Sequence, residues 1–165
     1  MKYLLAFLMA VAVHELGHII TARIFGVPLI SVSGKTAGLS MAFDFSGVSF
    51  PKEAAVHMGG VAAGLLSAVL SCFLPYRFFR MFAGMSLSFG VLNLLPLSSF
   101  DGGGIVRAVL SQFFYPDTVW RITRIVSWIT LILLWTAVLW AELRVQPNLG
   151  LIFFVIVIMV EEWRK

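Results

Sequence analysis

His14 and His18 stand four residues apart in the stretch His14-Glu15-Leu16-Gly17-His18. On an α-helix four residues overshoot one turn by only about 40°, so both imidazoles leave nearly the same face. Two such nitrogens can hold one Zn²⁺, and Glu15 beside them can take a proton from the attacking water. This H-E-x-x-H pattern lies inside an apolar run from Leu4 to Phe25. Ionisable groups within a bilayer are costly, and they are usually there for function. A water-splitting site in that setting points to proteolysis of membrane-embedded substrates.

A catalytic zinc takes three protein ligands and keeps one position open. Few residues can supply the third. Glu161 and Glu162 sit in a charged tail with Arg164 and read as solvated. Glu142 follows a later span, on the side opposite the histidines. Asp44 and Asp117 lie in connecting segments. His57, near the start of the second span, reads first as a structural residue. Asp101 is the strongest candidate, because it follows a helix end broken at Pro96 and precedes Gly102, Gly103 and Gly104. Irregular backbone at membrane depth is tolerated only where it is buried or lines a wet cavity. Gly102 and Gly103 there permit positive φ and close backbone approach. An aspartate in this place can also cap the helix that follows; beside an intramembrane H-E-x-x-H the ligand reading prevails. Water is expected to reach the site past Ser98 and Ser99.

The elements that must position these residues are membrane helices. Hydrophobic residues make up 60% of the 165 and charged ones 12%, about half the usual charged share; the mean hydropathy is +0.97. The net charge of +4 is small and scattered, which excludes nucleic acid as a partner. Cys72 is the sole cysteine; it rules out an intramolecular disulfide and reads as a buried, inert thiol. Lys2 and the apolar stretch Tyr3 to Val13 imitate a signal peptide, but the pattern runs on through His-Glu-Leu-Gly-His. Tyr3 to Phe25 is therefore read as a retained span, ended by Gly26 and Pro28.

Residues 27–50 read as a short hairpin, with Leu29 to Ser33 and Leu39 to Phe43 alternating and Gly34-Lys35 offering the turn. Further spans are expected over Ala54 to Phe73, Phe82 to Leu97, Ile125 to Ala141 and Leu149 to Val160. Ile105 to Tyr115 is expected as an amphipathic surface helix. Gly60 and Gly64 form G-x-x-x-G, read as a helix-packing device. The fold class is thus an all-α polytopic membrane protein with about five transmembrane helices and a membrane-associated β-hairpin after the first. With five spans, Lys2, Arg77, Arg80 and Arg144 lie on the amino-terminal side. The other side holds eight basic residues, among them Arg23, Lys35, Lys52, Arg107, Arg121 and Arg124. By the positive-inside rule the carboxyl terminus, the hairpin and the opening of the site face the cytoplasm.

The two motifs together, His14-Glu15-Leu16-Gly17-His18 and Asn93-x-x-Pro96-x-x-x-x-Asp101-Gly102, resemble the paired signatures of the site-2 protease family of intramembrane zinc metalloproteases (peptidase family M50). The likeness is specific over residues 1–115. It implies one Zn²⁺ per chain on His14, His18 and Asp101, Glu15 as general base, and Asn93 positioning substrate or stabilising the oxyanion. It further implies a single metalloprotease domain over 1–165, with the zinc core in 1–115 and two additional membrane segments in 120–165. The implied partners are the lipid bilayer, a membrane-spanning or membrane-tethered protein substrate and regulatory membrane proteins, in a bacterial cytoplasmic membrane. The hairpin would offer an edge strand to a locally unwound substrate. The family's G-P-x-x-N-type element is not matched: Gly60-Val61-Ala62-Ala63-Gly64 has neither Pro nor Asn. The compact form, without PDZ or CBS domains, looks nearest to the sporulation-factor-processing branch. Two alternatives remain. A catalytically inactive relative acting as a membrane-protein scaffold has no need of Glu15. A metal transporter calls for ionisable residues along the later spans.

Overall fold

The computed structural model describes residues 1–35, 38–144 and 148–164. Helix α1 runs from Lys2 to Phe25, and its buried residues are Ala6, Ala10, His14, Gly17, His18 and Ala22. Most of these recur every four residues and, the histidines apart, all are Ala or Gly. They make one ridge of minimal bulk. Helix α2, Phe50–Cys72, presents the matching ridge Val56, Gly60, Gly64 and Ala68. In lipid no hydrophobic drive pulls helices together, so close van der Waals contact must do it, and small residues permit that approach. A Cβ at Gly17 would strike the Gly59 carbonyl oxygen and come 2.6 Å from Ala63 Cβ. Helix α1 ends at Gly26, whose φ of 70° is left-handed. The N–H groups of Gly26 and Val27 then bond the carbonyls of Arg23 and Ala22 at 3.2 and 2.8 Å, closing the helix.

Strands β1 (Leu29–Lys35) and β2 (Gly38–Phe43) pair antiparallel, with an irregularity between Leu29 and Ser31. Gly34 and Lys35 were expected to turn, yet they are strand residues opposite Leu39 and Gly38. The reversal falls on residues 36–37, which lie outside the described residues. Phe43, Phe45 and Val48 seat the hairpin's base on Ala22, Val27 and Val56.

Helix α3 spans Arg77–Asn93 and packs on α1 and α2, with Phe82 against Ala6 and Ala10. It begins and ends earlier than the expected Phe82 to Leu97. Pro96 removes a donor and disfavours helix at the residue before it, and Leu97 N–H turns back to the Leu95 carbonyl at 2.7 Å. Helix α4 covers Asp101–Leu110, so it takes all three glycines into its first turn rather than starting at Ile105. None of them has positive φ; among the described residues only Gly26 and Gly47 do. Their use is proximity. A Cβ at Gly102 would strike the carbonyl oxygen of Leu94, and one at Gly103 that of Leu97. The 94–100 loop therefore lies directly on the α4 backbone.

Helices α5 (Pro116–Arg144) and α6 (Leu149–Trp163) complete the chain. Leu131, Val138, Val155 and Ile158 form their core, and Leu97 from the loop is fully buried among them. Among the described residues three helices are long and apolar enough to cross a membrane: α1, α2 and α5. Helices α3 and α6 have 17 and 15 residues, at and just below the lower end of the roughly 17–25 that a span takes. Length and composition thus support three of the five expected spans. Leu5, Leu8, Leu66, Val69, Ile132 and Leu133 are each more than half exposed on these helices. Such an apolar exterior is that of an integral membrane protein. Cys72, expected to be buried, is exposed at the last residue of α2.

Candidate metal centre

Three side-chain atoms meet at one point. His14 Nε2 lies 3.0 Å from Asp101 Oδ2, His18 Nε2 lies 3.2 Å from the same oxygen, and the two Nε2 atoms are 3.1 Å apart. His14 and His18 are 2% and 6% exposed, and a half-buried Asp101 faces them from the first turn of α4.

The protonation of His18 is set by its other nitrogen. His18 Nδ1 is 2.8 Å from the Val56 carbonyl oxygen. A carbonyl can only accept, so Nδ1 carries the proton and a neutral His18 turns its Nε2 lone pair toward Asp101. In that state the His18 lone pair and an Asp101 oxygen face one another at 3.2 Å with no donor between them, an arrangement a cation relieves. Its dimensions fit zinc. A tetrahedral site with bonds of about 2.0–2.1 Å has ligand–ligand edges of roughly 3.3 Å, and the observed triangle is close to that. Two imidazoles and a carboxylate are a ligand set of catalytic zinc sites, with a position left open.

Glycines seat the rings. A Cβ at Gly60 would overlap the His18 imidazole, while Gly64 lies beside His14 Nδ1. The G-x-x-x-G expected only to pack helices is also the floor of the centre. Phe89 of α3 stands edge-on to His14, with ring centroids 4.9 Å apart. His14 Nδ1 is buried with no hydrogen-bond partner among the described residues, so packing rather than a hydrogen bond orients that ring. His57 Nδ1 lies 3.5 Å from Asp101 Oδ1, the oxygen turned away from the other two histidines. Its ring rests on Gly104, where a Cβ would collide with it. Glu15 is half-buried and adjoins His14 on α1.

The other candidates stand apart from the centre. Asp44 is engaged locally by the Ser46 backbone N–H at 2.9 Å, which holds its carboxyl below the usual range. Asp117 is exposed in the first turn of α5. Glu142 accepts the Asn148 N–H at 2.8 Å. Asn93 Nδ2 donates to the Phe89 carbonyl at 2.9 Å, which closes the end of α3. One expectation fails. Glu162 is not solvated but 3% exposed. Ser98 and Ser99 both donate their hydroxyls to Glu162, and Ser98 also lines a cavity. The signal for Glu162 is its place on a stripe: Val155, Ile158 and Glu162 are the buried residues of α6, spaced three and four apart. Ser127, which bonds the same loop, continues the α5 stripe of Val119, Thr123 and Leu131.

A triad of metal-ligand type buried among membrane helices is the setting in which the sequence comparison has to be placed. The family model of peptidase family M50 matches residues 39–137, and the chain belongs to that family. Zinc metalloprotease MJ0392 of Methanocaldococcus jannaschii is 29% identical over 115 residues, which cover 62% of this chain and 32% of that protein. The chain thus spans about a third of the length of that curated relative. A solved structure titled site-2 protease, from the same organism, superposes with a TM-score of 0.73 at 22% identity. The match covers 97% of this chain and 75% of the other. The two share a fold.

Proposed function

We propose that this protein is an intramembrane zinc metalloprotease that cleaves a membrane-spanning or membrane-tethered protein. The observation that carries the reading is the convergence of His14 Nε2, His18 Nε2 and Asp101 Oδ2 within 3.0–3.2 Å of one another, with Glu15 adjoining. His14, His18 and Asp101 hold the ion, His57 steadies the second Asp101 oxygen, and Gly60 keeps the His18 ring in place. A bound zinc supplies Lewis acidity toward a water and a scissile carbonyl. Glu15 takes the proton of the attacking water and hands it to the leaving amine. Asn93 helps to place the substrate carbonyl once its amide turns from Phe89.

A transmembrane substrate has its peptide groups bonded internally and must unwind before hydrolysis. The β1–β2 pair has an unpaired edge on each strand among the described residues, and such an edge can hold extended backbone. The basic side of the membrane, with Arg23, Lys52 and Arg107, is the cytoplasmic one by charge bias. The test is Glu15→Gln in the purified protein with a membrane-tethered substrate. Zinc content is expected to stay at about one per chain while cleavage falls by ~10²–10⁴-fold or more, the usual scale for general acid–base catalysis. Wild-type cleavage by this variant would remove Glu15 from the chemistry.

A further inference from the structure

We propose that Glu162, in the last turn of α6, is a positioning residue of the metal centre: it clamps the loop that delivers Asp101. The inference rests on the zinc reading above and extends it to a residue some sixty positions away in sequence.

Glu162 is 3% exposed, and what surrounds it is the 94–100 loop. Oε1 accepts the backbone N–H of Ser98 at 3.1 Å and also the Ser98 hydroxyl. Oε2 accepts the Ser99 hydroxyl at 3.1 Å. Three donors on one carboxylate define where residues 98 and 99 lie, and Asp101 follows two residues later. Helix α5 adds to the grip. Ser127 Oγ accepts the Ser98 N–H at 2.9 Å and donates to the Pro96 carbonyl at 3.3 Å. Arg107 Nη1 donates to the Ser98 carbonyl at 3.2 Å. Leu97, fully buried between α5 and α6, is the apolar counterpart of the same clamp.

The physical need is clear. The loop has lost helical hydrogen bonding after Asn93, so its backbone groups must find other partners. A buried carboxylate is retained only if several donors satisfy it. Groups that orient a metal ligand from behind commonly change metal affinity 10–100-fold when removed. The clamp also borders a cavity of about 230 Å³ lined by Ser98, Arg107, Trp120, Thr123, Arg124 and Glu162. Truncating Glu162 enlarges that space, and the three donors lose their shared acceptor.

The experiment uses the full chain in detergent. Zinc affinity is measured by competition with a chromophoric chelator, and ligand geometry by the visible spectrum of the cobalt-substituted protein. Glu162→Ala is expected to weaken zinc binding ~10–100-fold and to shift the cobalt bands. Glu162→Gln keeps an oxygen acceptor and an amide that the Ser99 hydroxyl can meet, and it should recover affinity to within several-fold of wild type. Ser99→Ala, the mildest variant, should weaken zinc several-fold, and it decides the matter if Glu162→Ala does not fold. Lowered thermal stability with wild-type zinc affinity and cobalt spectrum in both Glu162→Ala and Ser99→Ala would make the clamp merely structural and overturn the inference. A wild-type protein that takes up no zinc would instead overturn the metalloprotease reading, and the inference with it.

Discussion

The two long-helix pairs of this molecule are built by opposite means. Helices α1 and α2 meet through Gly17, Gly59, Gly60 and Gly64, where added methyl groups would meet backbone or imidazole atoms. Helices α5 and α6 meet through Leu131, Val138, Val155 and Ile158. The first pair trades bulk for nearness and carries two of the three proposed ligands on one helix. The second fills its interface with branched side chains, carries no ligand and anchors the loop that brings the third. Nearness places a ring to within tenths of an ångström; bulk secures a scaffold. The same bilayer supports both, because helix association there depends on contact quality and not on hydrophobic transfer.

Substitutions can break this contrast, and the largest effect belongs to the ligand. Asp101→Ala should reduce zinc from about one per chain to nearly none by elemental analysis, since a two-histidine remnant is a poor zinc site. Next comes Gly60→Ala. Its methyl would occupy the space of the His18 ring, so zinc affinity should fall about tenfold or more, although Ala favours the helix more than Gly does. A Gly60→Ala protein with unchanged zinc affinity would show that the glycine ridge serves packing alone. In the bulky pair, Ile158→Ala should reduce stability by about 1–2 kcal/mol. That is below the usual range for a core truncation, because in lipid the cavity penalty remains while the transfer penalty largely vanishes. Thermal denaturation in detergent measures it. Cys72→Ser, at the exposed end of α2, should change neither zinc content nor stability by more than about 0.5 kcal/mol.

The histidine pair was legible in the sequence because its geometry is local: a four-residue spacing on a helix sets the face. Asp101 was legible by chemistry, as the one carboxylate beside a broken helix; of the two uses expected of its glycines, close approach is found and positive φ is not. Positive φ and close approach are both glycine's properties, and only the fold shows that the carbonyls of Leu94 and Leu97 lie where side chains would be. Glu162 was misread because Glu161 and Arg164 make the tail look solvated, whereas the Val155–Ile158 spacing puts Glu162 on the buried stripe. Hydropathy also misplaced the bounds of α3. It registers how far apolar residues extend, while helix length is decided by where hydrogen bonding stops, at Asn93 for α3.

His18 is in effect a vernier between α1 and α2. One ring nitrogen faces Asp101, the other reads the Val56 carbonyl at 2.8 Å, and the ring's flank rests on Gly60. Sliding one helix past the other by a single residue would put Val61 or Gly59 in place of Gly60 and break the pairing with Val56. His18 is aimed at Asp101 in one alignment of the two helices, so docking α1 onto α2 and setting that ring are the same event.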